Sequence, residues 1–322
     1  MQLQQLSYFL AVATTRHFTH AAETLGVAQP SLSKQIRALE TELGAPLFSR
    51  ARGNITLTPA GEALLPLANR ILADVDTARL EVQELAGLRR GRVRLGATPS
   101  LCSGLLADTL RLFHDGYPGI RLLVEEGGSR DLVRELTRGA LDLALVILPL
   151  AEDTPLVTSP LLRENLVVAS RVDDTSLPNR PHLHITDLRD RPLVMFRAGY
   201  DLREATIAAC RHAGFEPRFA VEGGEMDAVL RFVEVGLGVA VVPSTVLTGR
   251  PGLCGTPLLL DGGRGAPGLH RTVALAHRKD VAPTHAANAF RETLETFLID
   301  ANADGSLPAG VELLAAAVTG PR

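Results

Sequence analysis

The chain has 322 residues, 46% of them hydrophobic, and a formal net charge of −3. That length predicts two domains with a connector, and no apolar run reaches the roughly 18 residues that a membrane-spanning helix needs. Its three cysteines, Cys102, Cys210 and Cys254, form no CxxC pair, which argues against a zinc ribbon or a disulfide framework.

The N-terminus, MQLQQLSYFL, lacks a basic stretch followed by an apolar one, so it does not read as a signal peptide, and a cytoplasmic protein is expected. Charge is unevenly spread. Residues 1–60 carry Arg16, Lys34, Arg37, Arg50 and Arg52 against Glu23, Glu40 and Glu42, a local excess of +2 on a chain that is −3 overall. Four of these cations fall between positions 34 and 52, which points to a polyanion partner at that end.

In chain order, Leu3, Leu6, Phe9 and Leu10 recur at helical spacing and predict a first helix over 3–15. A short second helix carries Ala21, Ala22 and Leu25, with Thr19 as its expected N-cap. Gly26-Val27 then makes a tight turn. In the next helix Leu32, Ile36, Leu39 and Leu43 form one stripe, Pro30 suits the helix start, and Gly44 stops it. The opposite face carries Ser31, Ser33, Lys34 and Arg37. Helix, glycine turn and second helix with a polar outer face make a helix-turn-helix pattern.

That face suits the major groove, where short side chains let a helix approach base edges closely. Ser31 and Ser33 can hydrogen-bond bases or phosphates, Gln29 can read adenine, and Lys34 and Arg37 can reach phosphate or guanine. Next, LFSRARGNITLTPAG predicts two short strands around a turn at Gly53-Asn54. Leu47 and Phe48 anchor the first strand, Ile55 and Leu57 alternate on the second, and Arg50 and Arg52 lie at the tip. This hairpin reads as a wing for the phosphate backbone or minor groove.

The run FTHAAETLGVAQPSLSKQIRALETELGAPLFSRARGNITLTPAG closely resembles the winged helix-turn-helix of LysR-type transcriptional regulators. The shared pattern is an Ala-Ala helix, Gln-Pro-Ser-Leu-Ser, Leu-Glu-x-x-Leu-Gly, Leu-Phe-x-Arg and Leu-Thr-x-Ala-Gly, in order. The resemblance implies DNA-contact roles for Gln29, Pro30, Ser31, Ser33, Lys34, Arg37, Arg50 and Arg52. Lys34 stands where many members carry Arg, which removes the bidentate geometry of a guanidinium.

From Thr58-Pro59 a long connector helix is predicted over 59–88. Leu64, Ala68, Ile71, Val75, Ala78, Val82 and Leu85 form a heptad seam that favours self-association, and the resemblance implies pairing through this helix. Pro66 is expected to kink it near its start, and Gly87 to Gly91 read as a hinge.

Beyond residue 92, strand and helix patterns alternate, which predicts an α/β fold with mainly parallel sheets. Two subdomains around a cleft are expected, with crossings near 164 and 266. The run EVGLGVAVVP resembles a LysR-type effector-domain motif, which implies a periplasmic-binding-protein-like architecture that holds a small molecule between its subdomains. Free backbone N–H groups and hydroxyls at helix starts favour an anion. Thr98, Pro99, Ser100 and Ser129 stand at such starts, while Phe196, Arg197 and Met226 are placed at the same cleft by analogy.

The expected organisation is therefore a winged helix-turn-helix DNA-binding domain at 1–58 and a dimerisation helix at 59–88. An effector domain follows at 92–300, with one subdomain at 92–164 and 266–300, the other at 165–265, and a tail at 301–322. The expected function is a bacterial transcriptional regulator modulated by a small-molecule effector, with an anion among the candidates, through a population shift. Its expected partners are promoter DNA, the effector, further copies of the chain as a dimer of dimers (a homotetramer), and RNA polymerase, with no membrane. No nucleophile–base pair, cofactor loop or metal-ligand spacing occurs, so no enzyme, cofactor or metal is expected. Two rivals are an α/β enzyme and a solute-binding protein, each with an accessory helix-turn-helix head. Peroxide-sensing relatives use two cysteines close in sequence, and Cys210 lacks such a neighbour.

Overall fold

The structure, a computed structural model, describes residues 1–49, 55–84, 91–178, 180–260 and 268–314. The chain forms two compact units, one chiefly from the N-terminal segment and one from the remainder.

The first unit holds α1 (Leu3–Thr15), α2 (Phe18–Thr24), α3 (Gln29–Leu43), a ribbon of β1 (Phe48–Ser49) with β2 (Thr56–Leu57), and α4 (Pro59–Glu84). Phe9, Val12, Ala21, Leu32, Ile36, Leu39 and Leu47 are its sealed core. Helix α3 ends at Gly44, whose φ is 71°. The stripe expected on α3 is one residue shorter, because Leu43 is 43% exposed. The cap of α2 is His17 and not Thr19: His17 Nδ1 accepts from the His20 amide at 3.4 Å. The hairpin turn at Gly53-Asn54, with Arg50 and Arg52, lies outside the described residues.

The junctions explain the sequence motif locally. Glu40 Oε1 accepts from the Leu47 amide at 2.8 Å and so ties α3 to the ribbon. Thr58 Oγ1 accepts from the Gly61 amide at 3.1 Å and donates to the Pro46 carbonyl at 2.6 Å. A Cβ on Gly61 would sit 2.2 Å from the Leu47 carbonyl oxygen, so α4 packs this closely only because position 61 has no side chain.

Helix α4 carries Pro66 within its span. Part of its seam is already used. Ala68 is fully buried, and Leu64 and Ile71 pack on the core of their own unit. Val75 is half-buried and Val82 is 71% exposed, so the free apolar stripe begins past Ile71. Leu85 and most of the expected hinge lie outside the described residues, and Gly91 opens the next strand.

The second unit runs as β3 (Gly91–Ala97), α5 (Pro99–Leu101) and α6 (Ala107–Gly116), β4 (Ile120–Glu126), α7 (Ser129–Thr137), β5 (Leu143–Leu148) and β6 (Leu156–Arg171). There follow β7 (Leu183–His184), β8 (Pro192–Phe196), α8 (Asp201–His212), β9 (Arg218–Gly224), α9 (Met226–Glu234) and β10 (Ala240–Pro243). The chain closes with β11 (Leu253–Leu259), β12 (His270–Arg278), α10 (His285–Ala303) and β13 (Val311–Leu313).

Strand β5 shows why two layers form. Leu143, Leu145 and Ile147 enter one core and Ala144 and Val146 another, the period-two alternation of a strand buried on both faces. The large sheet follows the order β4-β3-β5-β12-β6-β11-β7, with β10 and β13 also on β6. The expected mainly parallel sheet is mixed: β3 pairs in parallel with β4 and β5, but every partner of β6 is antiparallel.

Strand β6 links the subdomains. Its Leu161 and Leu162 belong to one core and its Leu166 to Ala169 to another, so the crossing falls at Arg163–Asn165. The return crossing near 266 lies outside the described residues, and the chain resumes at Gly268. The tail is also revised: Ala301–Ala303 complete α10, and Val311–Leu313 then pair with Glu164–Leu162 of β6.

Candidate DNA interface and effector cleft

On α3, Leu32, Ile36 and Leu39 are sealed while Gln29, Pro30, Ser31, Lys34 and Arg37 are exposed and Ser33 is half-buried. The buried stripe fixes the helix, and the polar face stays clear for contact with a phosphate backbone and base edges. Arg37 and Lys34 form none of the described ion pairs, so their charge is free for a polyanion.

The second unit gathers the expected effector residues, but into separate networks. Thr98, Ser100, Ser129, Phe196 and Met226 are all buried. Thr98 Oγ1 lies 3.2 Å from Ser100 Oγ. Arg271 Nη1 donates to Ser100 Oγ at 2.9 Å, and Arg271 Nε donates to Glu164 Oε2 at 2.7 Å. Arg271 Nη2 lies 2.6 Å from the same oxygen but makes no well-aligned hydrogen bond. The remaining carboxylate oxygen of Glu164 accepts from the Thr245 hydroxyl. Arg271 and Glu164 are direct partners across β12 and β6 at the crossing, with side chains only 4% and 2% exposed. One buried ion pair therefore ties the crossing strands to the start of α5 on one side and to Thr245 on the other.

Beside this network lies a cavity of about 590 Å3. Ser100, Glu164, Met226, Leu230, Thr245 and Phe297 are among the residues around it, so both subdomains and the end of α10 contribute. Pro99, the first residue of α5, is half-buried and is not among the residues around the cavity.

Ser129 stands in a different place. Its amide and hydroxyl both donate to Asp201 Oδ2, at 3.1 and 2.8 Å, and its Oγ accepts from the Ile147 amide at 2.9 Å. Phe196 is a core residue whose ring stacks on Tyr200 at 4.8 Å. Arg197 is paired with Glu225 and lies 6.0 Å over the Tyr200 ring, so it is not a cation waiting for a ligand. The Tyr200 hydroxyl is buried and has no partner among the described residues. Burial first, and then the negative charge of Glu225, raise its pKa well above the usual tyrosine range.

Asp201, Glu164, Arg271 and Thr245 escaped sequence reasoning. No spacing rule marks them, because their roles come from strand register and from subdomains apposed across long sequence separations. One signal was present: Glu164 and Arg271 are opposite charges that border apolar runs, LVVA and VALA, near the expected crossings. Cys102 and Cys210 are not activated thiols. Burial, followed by Glu126, pushes the Cys102 thiol up to about 12, and burial pushes Cys210 up to about 11. Among the described residues no cluster of His, Cys, Asp or Glu could hold a metal, and no helix is long and apolar enough to cross a membrane.

Known proteins share this arrangement. Residues 3–62 match the model of the bacterial regulatory helix-turn-helix protein, LysR family, and residues 86–298 match the LysR substrate binding domain. The chain is 32% identical over 297 residues to the transcriptional dual regulator GltC of Bacillus subtilis, covering 92% of this chain and 97% of that protein. It is 34% identical over 281 residues to a probable hydrogen peroxide-inducible genes activator of Streptomyces viridosporus, covering 87% and 89%. Among solved structures, a full-length OxyR variant from Pseudomonas aeruginosa superposes with a TM-score of 0.69 at 26% identity, covering 92% and 95%. Full-length CbnR bound to its target DNA superposes with a TM-score of 0.68 at 25% identity, covering 92% and 99%. The chain belongs to the LysR family of DNA-binding transcriptional regulators, with an N-terminal helix-turn-helix domain and a C-terminal effector-binding domain.

Proposed function

We propose that the exposed face of α3 reads promoter DNA, with Gln29, Pro30, Ser31, Ser33, Lys34 and Arg37 in the major groove and Arg50 and Arg52 on the flanking backbone. The observation that carries this is the segregation on α3, apolar and sealed on one side, polar and solvent-facing on the other. The apolar residues of α4 beyond Ile71 pair with a second copy of the chain, and pairs assemble further into a homotetramer. RNA polymerase contacts would follow from DNA-bound placement in the cytoplasm.

The cavity beside Ser100 and Met226 takes a small-molecule effector, with Thr98 holding the Ser100 hydroxyl and Pro99 opening the helix that carries it, while Phe196 and Arg197 lie outside its lining. Effector binding shifts the population of cleft closures and thereby changes how the paired heads sit on DNA. The fold and family support regulation without a catalytic step. The test of the DNA reading is fluorescence anisotropy of the full chain on promoter duplexes across salt. Lys34→Ala and Arg37→Ala should each weaken binding and lower the salt slope by about 1. Unchanged affinity and slope in both variants would remove α3 as the docking face.

A further inference from the structure

The Ser129 network points away from an anion held jointly by Ser100 and Ser129. Ser129 opens α7, a helix of nine residues, and is 3% exposed. A helix start presents unpaired N–H groups and attracts negative charge. Here that position is already filled from within the chain. Asp201, the first residue of α8 on the far subdomain, accepts from both the Ser129 amide and the Ser129 hydroxyl. The hydroxyl has a single proton. Its oxygen accepts from the Ile147 amide, which orients that proton toward Asp201.

The backbones confirm how tightly the two rims meet. A Cβ on Gly128 would lie 2.7 Å from the Gly199 carbonyl oxygen, so a side chain at 128 would force the rims apart. Asp201 forms none of the described salt bridges; its carboxylate takes both Ser129 donors and stands in the first turn of its own helix, where the helix dipole favours negative charge.

We propose that Asp201 is a built-in carboxylate ligand for the start of α7, which latches the two subdomains at this rim and excludes small anions from the Ser129 position. The inference rests on the reading of this domain as a two-subdomain effector cleft and sharpens it. An effector held at the Ser100 and Met226 cavity leaves the latch intact. An anionic effector reaches Ser129 only by displacing Asp201. Asp201 is thus a specificity and positioning residue, acting through Ser129.

The test needs neither the natural effector nor DNA. The full chain, Asp201→Ala, and Asp201→Ala combined with Ser129→Ala are compared by thermal unfolding in sodium formate against sodium chloride of equal ionic strength. Formate supplies the missing carboxylate. Asp201→Ala should melt lower than the parent and gain about 3–6 °C at formate ten times above its dissociation constant, while the parent and the double variant gain nothing beyond chloride. Hydrogen exchange at the Ser129 and Ile147 amides should speed up in Asp201→Ala and slow again in formate. Should the alanine variant fail to fold, Asp201→Ser gives the same comparison. Equal formate shifts in all proteins, or no shift in either single variant, would overturn the latch. Loss of DNA binding by the α3 variants would leave this result untouched, so the two readings fail separately.

Discussion

The ion pair at the strand crossing permits the sharpest energetic prediction. Glu164→Gln keeps the shape of the side chain and removes its charge. Arg271 would then remain in the interior, its side chain only 4% exposed, with its guanidinium facing a neutral amide. Removing one partner of a buried pair costs about 3–5 kcal/mol, because the other charge stays desolvated without compensation. Glu164 also accepts from Thr245, and Arg271 also donates to Ser100, so the loss spreads to both subdomains. For a unit of roughly 150–250 residues, each kcal/mol moves the midpoint by about 2–4 °C, which gives a fall of about 6–20 °C. Calorimetry of the full chain measures it as the displacement of one transition. Replacing both residues, Glu164→Met with Arg271→Met, should recover most of the loss, because no unpaired charge then remains buried. A single variant that melts within about 2 °C of the parent, or a double variant worse than both singles, would refute the reasoning.

Three further outcomes follow from the same structure. Val75→Asp with Val82→Asp should abolish self-association in light scattering while leaving each head folded, because the free stripe of α4 starts past Ile71; an unchanged mass would show that α4 does not mediate assembly. Tyr200→Phe should leave the melting temperature unchanged or raise it, since it removes a buried hydroxyl with no partner among the described residues; a fall of several degrees would mean that the hydroxyl is bonded. Alkylation mapped by mass spectrometry at pH 8 should label exposed Cys254 first. Cys102 and Cys210 stay as thiols there, because their raised pKa values of about 12 and 11 leave the thiolate scarce until the pH climbs toward them; equal labelling of all three would contradict this.

How much of this was legible in the sequence differs by region. The head was readable almost residue by residue, because local rules specify it: the α3 stripe, the stop at Gly44, the alanines of α2 and the ribbon. The cap of α2 was missed because a histidine ring can accept a hydrogen bond as a hydroxyl does, and propensity favours threonine. Seam length was overread because a heptad pattern does not tell which partner buries it, and Leu64, Ala68 and Ile71 are used by the head itself. In the second unit the alternation gave the elements but not their pairing. Pro160 interrupts the strand pattern inside β6, and the register shift opposite it, between Val273 and Ala274, is visible only with β12 in place. The latch at Asp201 depends on residues 72 apart in sequence, which no local pattern encodes.

The central claim, that the polar face of α3 reads a specific promoter, is tested most directly by hydroxyl-radical footprinting of the full chain on the intergenic region beside its own gene. A site should appear as protected segments separated by about one helical turn. Ser33→Ala and Arg37→Ala should weaken that protection while circular dichroism shows the fold intact. A footprint of unchanged strength in both variants, or uniform weak protection without a defined site, would contradict the account.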